Sequence, residues 1–201
     1  MHNKQILLIV FILILNILGK TWAKLPKNYN NLVFVSFFNA SYYYIYQRKL
    51  LWEFSPNGIP INVLRALHIF FVTPFLVLLF LSNAPQKVRS KIAYSIKWTV
   101  VSTVIENLLH KERVIQYNHH WNSLWSSLVY LLMYTCSLIF KSNPLLALVI
   151  SVLSLSFFIV KFPVHFNNRF LKGPMHIFWQ RRSPLYNKFL QLLTESKIPG
   201  F

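Results

Sequence analysis

Residues 145–160 read LLALVISVLSLSFFIV, a run without a single charged side chain. Residues 69–81, IFFVTPFLVLLFL, form a second run of the same kind. A helix that crosses a lipid bilayer needs about 20 mainly apolar residues, and both runs approach that length once their flanking residues are included. These two stretches therefore predict transmembrane helices, and the rest of the chain can be interpreted around them.

The composition of the whole chain indicates the same class of protein. Of its 201 residues, 55% are hydrophobic and only 12% are charged, which is far from the composition of a soluble domain. The net charge is +17, and the cations fall mainly between and after the apolar runs. This distribution favours a bilayer with anionic headgroups as partner. It argues against nucleic acid, because a soluble basic protein would have to bury all these apolar residues in its own core.

Six stretches approach the length of a span, so we predict an all-α polytopic transmembrane bundle of about six spans over residues 1–162. The predicted spans are residues 6–19, 32–46, 63–81, 92–109, 124–140 and 145–162. The first could also be a secretory signal peptide that is cleaved after Ala23. We favour a retained helix, because the downstream chain is itself apolar enough to lie in the membrane.

Residues 163–201 form a second region, a basic and partly amphipathic tail. Leu185, Phe189, Leu192 and Leu193 share one helical face, which predicts a short helix at the inner membrane surface. Docking of this helix on the protein's own loops is the alternative. The tail cations also decide the predicted orientation, because with them the amino-terminal side of a six-span chain carries more Lys and Arg. We therefore expect both termini to be cytoplasmic.

Glu106 is the most informative ionisable residue in a predicted span, because a carboxylate in hydrocarbon is costly. Thr103 and His110 lie on the same helical face, at spacings of three and four. Three roles remain open for Glu106: an interhelical pin, a proton or ion site, or a metal ligand together with His110. We favour the pin, since no third metal ligand is recognisable by its spacing.

Arg65, His68 and Lys97 are the other candidate polar residues within predicted spans. Arg65 and Lys97 lie close enough to span ends for their side chains to reach the headgroups. His68 lies one turn beyond Arg65 on the same face and could pair with it. Pro74 is expected to kink the third span, and Thr73 is available near the carbonyl that proline leaves free.

Polar and aromatic groups concentrate at the boundary between the fourth and fifth predicted spans. With Glu106, the candidate cluster comprises His110, Tyr117, His119, His120, Trp121, Asn122 and Ser126. The spacing of Trp121 and Trp125 is typical of an interfacial aromatic belt. Adjacent histidines on a helix point about 100° apart and cannot easily grip one ion. We predict no catalytic residue, no metal and no cofactor, since the chain has no Asp, four Gly and a single Cys136.

An ordered set of short motifs resembles a known family. The motifs are Leu51-Trp52-Glu53 with Pro56, then Pro74, Glu106, Tyr117, Trp121-Asn122 with Ser126, and residues 143–147, NPLLA. Over roughly residues 6–162 they resemble small multi-pass membrane proteins of spore-forming bacteria that are labelled with the prefix CBO. The resemblance implies a bacterial plasma membrane location and no particular reaction.

Two features depart from that family. The chain adds the long basic tail, and His120 stands where the family usually has glycine. Because glycine's backbone freedom is lost at this position, the departure puts a tight turn there in doubt.

We therefore expect a structural, assembly or regulatory component of a bacterial plasma membrane, linked to sporulation or germination and not an enzyme. Its protein partner would be another membrane protein or a second copy of the chain. The rival is a small transporter or ion-conducting subunit that uses Glu106, His110 and His68. A membrane enzyme acting on lipid at residues 117–126 is the third alternative. Buried partners for Glu106 would favour the structural component. A water-filled path that reaches Glu106 would favour the transporter, and a closed metal cluster would favour the enzyme.

A peptide of residues 163–201 should bind vesicles that contain anionic lipid, and added salt should weaken this binding because the attraction is screened. Co-sedimentation with vesicles at increasing salt measures both effects. Equal binding to neutral vesicles would contradict the predicted role of the tail cations.

Overall fold

All six predicted spans are helical in the computed structural model, which describes residues 4–163 except residues 48 and 57. The helices are α1 (Lys4–Leu18), α2 (Leu25–Ile45), α3 (Ile61–Leu67), α4 (Thr73–Ser82), α5 (Val88–Lys111), α6 (Ser123–Phe140) and α7 (Pro144–Lys161). A 3₁₀ turn, Thr21–Lys24, joins α1 to α2, and a π-helical turn, His68–Val72, continues α3 into α4. The helix predicted over residues 185–193 lies outside the described residues.

A small antiparallel ribbon closes one end of the bundle. Its strands are β1 (Trp52–Phe54), which follows α2, and β2 (Ile115–Tyr117), which follows α5. Glu53 lies opposite Gln116 in the register of the pair. The prediction of an all-helical chain therefore describes the bundle and misses the ribbon. We call this end of the bundle the ribbon side.

Both ends of the described chain lie on the ribbon side. Lys4, at the start of α1, forms an ion pair with Glu112, directly after α5. Phe162, directly after α7, packs into a cluster with Tyr46 and Leu51, which lie between α2 and β1. The helices therefore bring the chain back to the side from which it starts.

Among the residues that the structure describes, three helical segments are long and apolar enough to cross a membrane. They are Ile61–Ser82, Ser123–Phe140 and Pro144–Lys161. A fourth span results if Lys4–Leu18 and Thr21–Ile45, which are bent by 78° relative to each other, are taken as one broken span. The chain thus has several apolar helices compatible with a membrane protein, and the number six remains a prediction.

Helix α5 buries its polar side chains and exposes its apolar ones, which is the reverse of the pattern in a soluble protein. Its buried residues are all polar: Ser95, Thr99, Ser102 and Glu106. Large apolar side chains cover its exposed faces, at Ile92, Ile96, Val100, Val101, Val104, Ile105 and Leu108. Water would drive such apolar faces inward, whereas lipid solvates them and leaves the polar groups to pair inside. This pattern is the one expected of a helix that faces hydrocarbon, although α5 is not among the three candidate spans of the described residues.

Pro74 interrupts the backbone hydrogen bonds of the third predicted span, and α2 supplies the missing donor. In the π-helical turn the Thr73 N–H donates to the His68 carbonyl, five residues back. The next donor in this register would be the N–H of residue 74, which proline lacks. The Ile69 carbonyl instead accepts a hydrogen bond from the Ser36 hydroxyl at 3.0 Å. A π-helical turn thus precedes Pro74, and the donor to the freed carbonyl comes from another helix and not from Thr73. The kink itself stays a prediction.

Replacing Ser36 with Ala should destabilise the bundle by about 1 kcal/mol, because the Ile69 carbonyl loses this donor. The matched control is Ser41→Ala on the same helix, since the Ser41 hydroxyl bonds only the carbonyl of Phe37 in its own helix. Unfolding in mixed detergent micelles measures both free energies. An equal loss in the two variants would show that the contact with Ile69 contributes nothing specific.

Candidate functional site

Two tyrosines hydrogen-bond the buried carboxylate of Glu106. The Tyr117 hydroxyl, from β2, donates to Oε1 at 2.6 Å, and the Tyr130 hydroxyl, from α6, donates to Oε2 at 2.7 Å. Glu106 is 3% exposed, so these phenols replace the water that each carboxylate oxygen would otherwise require. The carboxylate thereby joins α5, the ribbon and α6 at one point. We call Glu106, Tyr117 and Tyr130 the carboxylate clasp.

The ribbon and the end of α5 hold Tyr117 in place. The backbone at Arg113 adopts a left-handed conformation, with φ at 56°, between the end of α5 and the start of β2. Tyr117 pairs with Trp52 in the ribbon, and its ring stacks on that of His110 at 4.2 Å. Burial, reinforced by the Glu106 carboxylate, raises the pKa of the Tyr117 phenol above its ordinary value. The phenol therefore remains a hydrogen-bond donor throughout the physiological pH range.

His110 and Thr103 do not bond Glu106, although they share its helical face. The His110 side chain donates from Nδ1 to the Ile115 carbonyl at 3.1 Å. Thr103 donates to the Thr99 carbonyl in its own helix at 2.9 Å. Both acceptor oxygens of Glu106 are instead used by phenols from other elements.

The adjacent histidines form a tight turn. His119 and His120 are exposed, and both adopt left-handed backbone conformations, with φ at 51° and 65°. The Trp121 N–H closes the turn on the Asn118 carbonyl at 3.0 Å. The tight turn therefore forms although His120 stands in place of glycine, contrary to the doubt raised from the sequence. Histidine is one of the residue types that tolerate this conformation. Within residues 4–163 apart from 48 and 57, no cluster of three or more His, Cys, Asp or Glu side chains could hold a metal ion.

The start of α6 is stabilised by hydrogen bonds of Asn122, Trp121 and Ser126. The Asn122 side chain accepts hydrogen bonds from the backbone N–H groups of Leu124 and Trp125, at 3.0 and 3.2 Å, and so caps the helix. The Trp121 indole donates to the Ser126 hydroxyl at 2.9 Å. These contacts fit a structural use of the conspicuous polar residues at this boundary.

Strand β1 covers the two polar residues of the third predicted span. Arg65 is buried, and its guanidinium lies 3.4 Å from the Glu53 carboxylate, so it does not extend to the headgroups as expected. His68 Nδ1 and the Tyr43 hydroxyl are hydrogen-bonded at 2.9 Å, and the His68 ring lies 4.7 Å from that of Trp52. His68 therefore pairs with Tyr43 and not with Arg65.

Lys97, the third candidate within a predicted span, is exposed on α5. It takes part in neither of the ion pairs between described residues. That its long side chain extends to a headgroup region stays a prediction.

A cavity of about 430 Å³ lies inside the bundle, and both Glu106 and His68 are among its lining residues. The remaining lining is largely apolar, with contributions from α1, α2, α4, α5, α6 and α7 and from both strands. Sequence reasoning missed this cavity, because it arises where six helices fail to fill the space between them. It also missed the hydrogen bonds of Tyr43 and Tyr130, because their partners lie far away in sequence, on other elements of the fold.

The chain matches no protein-family model, no curated protein and no solved structure. Function must therefore be inferred from the site itself. A carboxylate with a phenol donor on each oxygen is held as a fixed acceptor. A general base, by contrast, needs an oxygen within reach of the proton that it removes. The carboxylate clasp thus suits a structural role better than proton transfer.

Removing either phenol of the clasp should destabilise the bundle. We expect Tyr117→Phe and Tyr130→Phe each to cost about 1.5–3 kcal/mol, as is usual for a hydrogen bond to a charged group. The double variant should cost more than the sum of the two, because it leaves the same buried carboxylate without any donor. Unfolding free energies in detergent measure all three values.

The control for these variants is Tyr29→Phe, because Tyr29 on α2 is 59% exposed. This variant should unfold like the wild-type protein. Strictly additive losses for Tyr117 and Tyr130 would show that the two phenols do not act through one shared carboxylate.

Proposed function

We propose that this protein is a structural, assembly or regulatory component of a bacterial plasma membrane, and neither an enzyme nor a transporter. The observation that carries this proposal is the carboxylate clasp. Glu106 is the most conspicuous buried ionisable group among the described residues, and its hydrogen bonds hold α5, β2 and α6 together. A link to sporulation or germination is part of the proposal and is supported by the motif resemblance to the CBO-labelled family.

The proposed topology has six spans, with the ribbon side in the cytoplasm. The reversed amphipathicity of α5 supports its inclusion as a span. With α5 included, separate crossings by α1 and α2 are consistent with both ends of the described chain lying on one side, whereas one broken span made of α1 and α2 is not. The sequence of the tail that follows α7 is basic, and its cations support the cytoplasmic assignment.

Exposed apolar side chains on α1, α5 and α7 are proposed to face lipid, another membrane protein or a second copy of the chain. Anionic headgroups are the proposed partner of the tail. This assignment follows from the sign of the tail's charge.

A small transporter or ion-conducting subunit is the second candidate. It is favoured by one observation, namely that Glu106 and His68 line the same cavity. His110, the third residue of that hypothesis, is exposed and is not part of the cavity wall. An enzyme that acts on lipid at residues 117–126 has less support, because Asn122, Trp121 and Ser126 are engaged in capping and packing.

If Glu106 is a pin, Glu106→Gln should keep most of the membrane abundance and most of the cellular phenotype, because glutamine preserves the size of the side chain and one acceptor oxygen. Glu106→Ala should lower the abundance, since it leaves two buried phenols without an acceptor. The measurement is complementation of a deletion strain of a spore-forming host, with spore yield, germination and membrane abundance recorded together. Glu112→Gln is the matched control, because the Glu112 side chain is 63% exposed.

Three results would overturn separate parts of this proposal. Complete loss of phenotype in Glu106→Gln at normal membrane abundance would favour the proton or ion site over the pin. A deletion strain with unchanged spore yield and germination would remove the link to those processes. Glu106-dependent ion flux in proteoliposomes would identify the transporter.

A further inference from the structure

The cavity has the dimensions of a binding site for one lipid chain. Its volume of about 430 Å³ falls within the range of small-molecule sites, roughly 300–1,000 Å³. On α6 its wall runs from Ser126 to Cys136, which corresponds to about 15 Å of helix. The hydrocarbon core of a bilayer is about 30 Å thick, so the wall extends over about one leaflet. One leaflet is also the depth that an acyl chain occupies.

The wall of the cavity is suited to hydrocarbon. Leu8, Ile12, Val35, Leu76 and Leu155 are among its lining residues, and they come from four different helices. Water would find few hydrogen-bond partners along such a wall. An empty space of this size would deprive the side chains on every wall of dispersion contacts. A flexible apolar occupant supplies those contacts.

The cavity opens sideways toward lipid. Five of its lining residues are also exposed hydrophobic side chains: Phe11 and Leu15 on α1, Val101 and Ile105 on α5, and Val129 on α6. Helix α1 packs chiefly on α4, whereas α5 packs chiefly on α6. The seam between α1 and α5 therefore connects the cavity with the outer face of the bundle, where a chain could enter from the bilayer.

Two hydrogen-bond donors near the ribbon favour a particular end group. Tyr46 and Trp52 both contribute to the cavity wall. The Tyr46 hydroxyl and the Trp52 indole N–H are buried, and neither has a hydrogen-bond partner among the described residues. Two unused donors fit an oxygen that only accepts, such as the carbonyl of an acyl ester or a fatty acid.

We propose that the cavity binds a single acyl chain, which enters between α1 and α5 and places its carbonyl end near Tyr46 and Trp52. The occupant is either a fatty acid or one chain of a phospholipid, because both carry the same apolar chain and the same acceptor. This binding site goes beyond the role proposed for Glu106 and rests only on the placement of the bundle in a membrane.

Photo-crosslinking in a bilayer tests the site with the full chain. The protein is reconstituted into phosphatidylcholine nanodiscs that contain a trace of palmitic acid with a diazirine in its chain. In a second arm the same diazirine chain is carried by phosphatidylglycerol. After irradiation, peptide mass spectrometry locates the labelled residues. We expect labels on wall residues such as Leu76 and Met133 in addition to lipid-facing residues.

A pair of serines on α7 provides a matched test. Ser154 lines the cavity, and among the described residues its hydroxyl bonds only the Ile150 carbonyl of its own helix, at 2.7 Å. Ser156 lies on the same helix but is exposed and outside the cavity wall. Ser154→Phe should fill the site and lower labelling of the wall residues about tenfold, a change of about 1.4 kcal/mol in chain binding. Ser156→Phe should leave labelling unchanged.

A second pair covers the case in which Ser154→Phe does not fold. Val101→Trp narrows the proposed entrance, whereas Val104→Trp changes an exposed residue of the same helix outside the cavity wall. Only the first of these should reduce labelling inside the cavity.

Each outcome decides the proposal. Labelling of the wall by the free acid, by the phospholipid or by both supports it and identifies the source of the chain. Absence of label from the wall in both arms overturns it, as does wall labelling that neither Ser154→Phe nor Val101→Trp reduces. Because these measurements do not involve Glu106, failure of the acyl-chain site would leave the pin proposal unaffected, and the reverse also holds.

Discussion

Polar groups inside a membrane bundle must find their partners within the protein, because hydrocarbon offers none. The contacts between helices in this chain follow from that requirement. Asn31 of α2 donates to the Ser137 carbonyl of α6 at 2.6 Å, and Ser102 of α5 bonds Tyr134 of α6 at 2.6 Å. Hydrogen bonds are directional, so they determine the register between helices that apolar contact alone would leave free to slide.

The carboxylate clasp is the strongest case of the same requirement. Glu106 would be costly in lipid, and its burial is tolerated because Tyr117 and Tyr130 approach from two other elements. The ribbon has a similar role for Arg65, whose guanidinium it pairs with Glu53. The ribbon therefore completes the polar interior at one end of the bundle. It supplies Glu53 to Arg65 and Tyr117 to Glu106, so these two buried charged groups determine where it lies.

Sequence reasoning predicted the helices well and their partners poorly. Hydropathy located all six helical segments, and the cost of a buried carboxylate singled out Glu106. The helical period placed His110 on the same face as Glu106, but His110 bonds the Ile115 carbonyl instead, because sharing a face does not imply contact when other donors fit better. Strands of three residues are too short for an alternating pattern to be recognised, so the ribbon left no signal. Tyr130, which is 24 residues from Glu106, had no local signal either.

The sequence by itself determined that the chain forms apolar helices compatible with a membrane and that its few buried ionisable groups would need partners. Both properties depend on the transfer of individual side chains between water and hydrocarbon, which is local and can be summed along the chain. Only the tertiary structure decided which groups pair, that β1 and β2 meet, and that a cavity remains inside the bundle. Those outcomes depend on how helices distant in sequence pack against one another, and the period of a helix specifies its face but not the neighbour that this face will meet.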